Sequence, residues 1–378
     1  MNDKGEAPSD PLVSLFMELA RIGSPSGSER EIMDFLTARL RGIGLEAEES
    51  EPIEAHAAAA GNLLCRLQAT APGTAIMLAA HVDTVASEKG ALPLPVLENG
   101  IIRSGSRAVL GADNKAAVAA MVYTLEKIAK EKIPHGGLEL LLTVGEECGL
   151  RGAKSLDTAG LRASCGFCMD STGPVGRIVT SSPSQKTIRA VFRGKAAHAG
   201  VEPERGRNAI AAAAAAVAGM KLGRIDADTT ANVGIIKGGE AVNVVPDTCE
   251  IAGEARSHVD EKLEQQVAAM LDGVGFAATA ASVDVEVAVV DEFRGFDIGP
   301  GHPAYDIAQQ ALDDIGLGAE PVSTGGGSDV NVFNLKGIPS VNLSAGMENV
   351  HSPAESISVE SLHQCHQLLL AIIHRAAQ

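Results

Sequence analysis

An α/β fold with a mostly parallel sheet, interrupted by a second α/β unit, is what this sequence predicts, on three observations. Apolar runs of strand length, such as Ala75–Ala80 and Leu138–Val144, alternate with longer segments of helical periodicity, the order of a parallel sheet covered by helices. Those runs are predominantly apolar, as strands buried on both faces are. Between residues 184 and 293 the order changes to strand, helix, two strands, helix and strand, a ferredoxin-like βαββαβ unit, and afterwards the first pattern resumes. The expected organisation is a first domain split into 1–183 and 294–378, with 184–293 inserted. At 378 residues the chain is long enough for two cores, and with 3% aromatic residues and no Trp those cores must be aliphatic.

Taken in order, Leu12–Ile22 reads as an amphipathic helix. Ser28 and Glu31 form an S-x-x-E capping box opening a second helix to about Leu40. Strands are expected at Leu45–Glu49, Asn62–Leu67 and Ala75–Ala80, then an irregular Gly- and Pro-bearing loop over Ser87–Ser106. A long helix runs from about Asp113 to Lys130. The strand Leu138–Val144 ends in Gly145-Glu146-Glu147-Cys148-Gly149, and a strand at Gly166–Asp170 follows a short helix at Arg151–Leu156. In the insertion the strands are Thr187–Lys195, Thr229–Ile236, Thr248–Arg256 and Val283–Val290, with helices Asn208–Met220 and Val259–Leu271. The final stretch brings helix His302–Ile315, a strand near Val322, the Gly325–Asp329 loop, strand Ser340–Leu343 and a closing helix from Val359.

A net charge of −17 argues against nucleic acid or an anionic membrane as partner. The N-terminus, Met1–Pro11, is polar and has no apolar signal-peptide core. Ala209–Met220 is too short to span a bilayer. A cytoplasmic location is expected. Cys165 and Cys168 have C-x-x-C spacing but fall on a strand, where no helix dipole activates a thiol, so they are expected to be packed side chains.

His81 and Asp83 end the Ala75–Ala80 run, and an imidazole beside a carboxylate is how a protein fixes a metal-binding histidine. Asp113, Glu146, Glu147 and Asp170 fall at the ends of other first-domain elements, and His351 precedes the last helix. Each alone is a plausible cap, loop or surface residue. Together they deliver carboxylates and imidazoles to one edge of one sheet, where unpaired charges repel and are costly to desolvate. Bound cations resolve that conflict. The donors are too many for one tetrahedral ion and suit two sharing a bridging carboxylate.

Leu78-Ala79-Ala80-His81-Val82-Asp83-Thr84, Gly111-Ala112-Asp113-Asn114-Lys115, Gly145-Glu146-Glu147-Cys148-Gly149, Met169-Asp170 and Asn349-Val350-His351-Ser352-Pro353 resemble, in order, the metal-site motifs of the di-zinc exopeptidases. That family includes peptidase T, carboxypeptidase G, aminoacylases and deacylases, and the second and third motifs are most similar to the peptidase T branch. The resemblance implies that His81 and Asp170 bind one metal, Glu147 and His351 the other, and that Asp113 bridges them. It implies that Asp83 orients His81 and that Glu146 is the general base. It also implies a cis peptide between Asp113 and Asn114. In the insertion, His198 of Lys195–Gly200 resembles the histidine that polarises the scissile carbonyl. Asn243 and Arg256 match positions that hold a substrate carboxylate. Gly326 and Gly327 lie in a loop similar to one that touches substrate.

The function the resemblance implies is a two-metal exopeptidase acting on short peptides, foremost a peptidase T-like tripeptide aminopeptidase. The ions would be zinc, or cobalt or manganese. The insertion would act as lid and homodimer surface, with His198 and Asn243 serving the other copy's site. A carboxypeptidase or N-acyl-amino-acid deacylase would use the same ligands, and a non-catalytic peptide-binding relative would not need Glu146.

Overall fold

The computed structural model describes residues 10–53, 60–88 and 91–378; the reading of the polar N-terminus falls, up to Ser9, outside the described residues. The chain divides into two compact units, one of residues 1–180, 298–323 and 328–378, the other of 181–297 with 324–327.

In the first unit the strands Leu138–Thr143, Ile76–His81, Cys165–Thr172 and Ser340–Glu348 lie side by side and parallel at the centre of the sheet. The apolar runs explain their place: all six residues of both Leu138–Thr143 and Ile76–His81 are buried. Toward the edges the pairing turns antiparallel, through Leu63–Leu67 and Glu46–Glu49 on one side. On the other side it passes through Ser356–Ser358 to the hairpin Pro95–Glu98 and Ile101–Ser104. Register decides the chemistry. Ile76 pairs with Leu138 and Cys165, and His81 with Thr143, so His81, the Gly145–Glu147 turn and Asp170 emerge at the same C-terminal edge.

Helices Pro11–Arg21, Ala112–Glu131, Val359–Ala376 and Pro303–Asp314 pack in succession beside this sheet. Ala116, Ala117, Ala119 and Ala120 are fully buried, and their small side chains let the Ala112–Glu131 helix approach its neighbours closely. On the last helix the half-buried His366 meets Tyr123 edge-on, ring centroids 4.9 Å apart, with its Nδ1 2.8 Å from the Thr124 hydroxyl. Burial, aided by the Lys127 ammonium, pushes its pKa down to about 4 from 6.5. The unfolded chain therefore takes up a proton between those values that the folded chain refuses. The group's contribution is complete above pH 6.5 and lost as pH falls toward 4. His366→Phe is accordingly expected to flatten the fall in melting temperature between pH 7 and pH ~4.5, followed by circular dichroism; an unchanged slope would refute this.

Several elements depart from the sequence expectation. The second helix runs Arg30–Gly42, and Ser28 does not cap it: its N–H is tied to Pro25, and Glu29 folds back to accept from Gly27 N–H at 2.9 Å. Within Ser87–Ser106, read as irregular, lies the hairpin Pro95–Glu98/Ile101–Ser104, turned by Asn99 and Gly100 at positive φ. The strands Arg177–Ser182 and Ser356–Ser358 and the helix Asp329–Leu335 are additional, the helix begun by a reciprocal Ser328/Asn331 capping box. Strand Ser340–Glu348 runs five residues past the expected end at Leu343.

The second unit is an antiparallel sheet in the order Gly223–Arg224, Thr229–Gly238, Thr248–Ser257, Ser184–Arg193, Asp284–Phe293. Helices Ala209–Gly219 and Asp260–Ala281 pack on each other and on the sheet, around Phe192, Ile251, Ala213 and Val274. The second of these helices runs ten residues past the Leu271 expected from sequence, carrying Gly273 and Gly275 inside it. Among the described residues no helix is long and apolar enough to cross a membrane. All six cysteines are free; burial pushes the Cys165 thiol up to about 11 and Cys168 well above its usual value, as packed thiols require.

Candidate active site

At the C-terminal edge of the first unit's sheet the structure brings His81, Asp113, Glu147, Asp170 and His351 together. His81 Nε2 lies 3.2 Å from both Asp113 Oδ1 and Asp170 Oδ1. The other oxygen of Asp113, Oδ2, is 3.3 Å from His351 Nε2, and Glu147 Oε1 is 2.9 Å from that same nitrogen. Asp113 thus faces two imidazoles with opposite oxygens, and each imidazole has a further carboxylate beside it. Donor atoms of His81, Asp113 and Glu147 all fall within 4.8 Å of one another.

Local backbone explains how each side chain arrives. Strand Ile76–His81 ends on its histidine. The Asp113–Asn114 peptide is cis, and both residues leave helical geometry before the Lys115 turn begins. His351 sits at φ 61, a left-handed conformation that histidine tolerates better than most side chains. Glu146 and Glu147 occupy a turn closed by Gly149 and Leu150 N–H on Glu146 O.

Asp83 does more than the sequence suggested. His81 Nδ1 is 3.0 Å from the Asp83 main-chain oxygen and 3.5 Å from its carboxylate. The carboxylate also accepts from Glu146 N–H (3.0 Å), Glu147 N–H (3.1 Å) and the Ser26 hydroxyl (2.6 Å). Sequence reasoning missed Asn114, whose Nδ2 donates to Asp170 Oδ1 at 2.8 Å, and Asn342, whose Oδ1 accepts from Asp170 N–H at 2.8 Å. Only adjacency to Asp113 hinted at the first, and nothing local marked the second.

The donor set fits cations. A single Nε2 has at most one proton to give, yet two buried carboxylates converge on His81. Glu147 Oε1 is buried and lies 2.9 Å from His351 Nε2, the nitrogen that Asp113 Oδ2 also approaches at 3.3 Å, so two carboxylates converge on this imidazole as well. Electrostatics of the protein alone say the same. Burial works against the His81 cation, but Asp170, Asp113 and Asp83 outweigh it and hold its pKa well above the usual value. Burial and the Asp113 charge push Asp170 up to about 7. Asp113 and Glu147 lift His351 to about 10. Burial, then the charges of Asp170, Asp329 and Glu147, push Glu146 well above the ordinary carboxylate range. Positive charge is what this edge lacks, and nitrogen and carboxylate donors suit zinc or a similar divalent ion.

The other expected residues lie in the second unit. His198 is exposed and its Nδ1 accepts from Gly200 N–H at 3.2 Å. Ala199 N–H donates to Asn243 O at 2.9 Å, which brings the His198 and Asn243 loops together. Arg256 places Nε and Nη2 on Glu254, both at 3.0 Å, and Nη1 on Gly325 O at 3.1 Å, so its guanidinium already has a carboxylate. A Cβ on Gly327 would lie 2.3 Å from the Phe293 ring, which makes this glycine a packing requirement; Gly326 has no such neighbour.

Carboxylates and imidazoles gathered at the C-terminal strand ends of an α/β sheet are the arrangement of a metal-binding enzyme. Residues 77–375 match the family model described as Peptidase family M20/M25/M40. The fold aligns with the aminopeptidase PepT of Bacillus cereus ATCC 10987 at TM-score 0.84 and 41% identity, covering 97% of this chain and 98% of that one. It aligns with a tripeptidase of Staphylococcus aureus at TM-score 0.89 and 37% identity, covering 99% and 100%. Peptidase T of Lysinibacillus sphaericus is 28% identical over 74% of this chain and 69% of its own length. The chain belongs to the M20/M25/M40 peptidase family, and it is a metallopeptidase.

Proposed function

We propose that this chain is a two-metal aminopeptidase of the peptidase T kind, removing the N-terminal residue from tripeptides and other short peptides. The observation that carries the reading is Asp113 facing His81 and His351 with opposite oxygens, Asp170 flanking the first imidazole and Glu147 the second. His81 and Asp170 would hold one ion, His351 and Glu147 the other, with Asp113 shared; zinc is the first candidate, cobalt or manganese the alternatives. Bound there, the ions would supply Lewis-acid polarisation and a water acidified toward neutral pH.

The protein's own groups do the rest. Glu146, turned toward the site by the Asp83 clamp on its backbone, takes a proton from the attacking water and gives it to the departing amine. A carboxylate can make both transfers, as base and then as acid. His198 polarises the scissile carbonyl, and Asn243 with Arg256 orients a substrate carboxylate; the pairing of the His198 and Asn243 loops supports their acting together. Glu254 tempers Arg256, so a substrate carboxylate must compete for that guanidinium. The Gly326 and Gly327 backbone contacts the peptide. The second unit is read as a ferredoxin-like lid and homodimer surface. Its strand Thr229–Gly238 supports the dimer, since Ile235 and Ile236 are 57% and 53% exposed there. Cytoplasmic peptide turnover fits this activity.

Metal-reconstituted protein offered a free tripeptide, its N-acetyl form and its C-amide tests the reading. Hydrolysis lost on acetylation alone is expected. Loss on amidation alone would overturn the aminopeptidase assignment in favour of a carboxypeptidase or deacylase, and no turnover of any form would overturn the catalytic one.

A further inference from the structure

Four residues past His351 the chain turns Glu355 inward, where it is 1% exposed. Its Oε2 accepts from Gly111 N–H at 2.7 Å and its Oε1 from Asp113 N–H at 2.9 Å. These partners are 244 and 242 residues distant in sequence, so one side chain ties the loop bearing His351 to the turn bearing Asp113. The N–H groups at a helix start have no intrahelical acceptor and must find another. Here the turn is also irregular, with Gly111 at φ 74 and Asp113 and Asn114 outside helical geometry. The clamp therefore fixes two backbone N–H groups of the segment that presents Asp113.

Asp83 uses the same device across the site. It grips two consecutive backbone N–H groups, those of Glu146 and Glu147, with its two oxygens at 3.0 and 3.1 Å. Two buried carboxylates next to a cluster of acids are costly without positive charge. Lys115, 1% exposed, brings its Nζ beside Gly111, within 3.3 Å of where a Cβ on that glycine would stand. Its Nζ is held by Ile22 O at 2.6 Å.

We propose that Glu355 is a positioning residue of the metal centre, holding Asp113 and His351 in register with each other. This rests on the two-metal reading above. A carboxylate is required because only two anionic oxygens accept from both N–H groups; an amide offers one acceptor and turns N–H against N–H.

Metal-free wild type, Glu355→Gln and Glu355→Asp, titrated with Co²⁺ and followed by visible absorption and calorimetry, test the proposal. Wild type should bind two ions per chain. Glu355→Gln should bind them roughly 10–100-fold more weakly with an altered cobalt spectrum, and Glu355→Asp should recover part of the affinity. If Glu355→Gln does not fold, Glu355→Asp carries the measurement, with weakened binding again expected. A variant that melts earlier yet binds two ions with wild-type affinity and spectrum overturns the positioning role and leaves the two-metal reading intact. Wild type that binds fewer than two ions overturns both.

Discussion

Glu146→Gln is expected to lower kcat on a tripeptide by roughly 10²–10⁴-fold, the usual worth of a positioned acid–base group, while two divalent ions per chain are retained. The substitution is nearly isosteric and leaves the backbone N–H that Asp83 grips, so the turn should persist. What it removes is the only property the reaction asks of this side chain, the ability to take and return a proton. Retained metal is as much part of the prediction as lost turnover. Glu147, its neighbour, is the residue within 2.9 Å of His351, whereas no close contact ties Glu146 to either imidazole. Glu147→Gln should reverse the pattern, losing metal first. Elemental analysis beside steady-state kinetics separates the two. A Glu146→Gln variant that turns over at the wild-type rate refutes the general-base assignment; one that loses metal instead makes Glu146 a ligand.

Much of the donor set was legible because it rides on the most regular part of the chain. Strands buried on both faces read as largely apolar runs, and the polar residues at or just past their ends, His81, Glu146 and Asp170, are conspicuous against them. What escaped notice shares one cause: the information is non-local. Nothing near Glu355 says that its carboxylate will meet Gly111 N–H, and nothing near Asn342 says that it will fix Asp170. Asp83 stands beside His81 as expected, but a second role escaped notice for the same reason. Proximity in sequence pointed to His81, while its carboxylate also accepts from backbone 63 and 64 residues further on. The Asn99-Gly100 hairpin is a different kind of omission. Its turn signal is local and strong, but its strands are short and lie at the sheet edge, where half-exposed residues blur the alternating pattern.

Asp113→Asn is expected to reduce the metal content from two ions to one and to cut activity by more than about 100-fold, beyond the 10–100-fold cost of losing a supporting partner. The argument is one of lone pairs. Asp113 alone presents one oxygen toward each imidazole, Oδ1 at 3.2 Å from His81 and Oδ2 at 3.3 Å from His351. An asparagine keeps one oxygen and replaces the other with an N–H₂ group that donates and cannot ligate. Whichever way the amide turns, one half of the site is left with a single imidazole and a single carboxylate, too few to hold an ion against water. The metal-free protein provides an independent check. Asp113 heads the groups that lift His351 to about 10, so removing its charge should lower that pKa, a change that imidazole proton resonances report across the titration. The sign follows from linkage: a raised histidine pKa stabilises the fold at and below neutral pH and is lost as pH rises through the folded value. The metal-free variant should therefore melt lower than metal-free wild type at pH ~7, with the gap narrowing toward pH ~10. Two ions bound at wild-type affinity in Asp113→Asn would mean that the carboxylate bridges nothing, and the chemistry assigned to this edge of the sheet would have to be rebuilt around Asp170 and Glu147 alone.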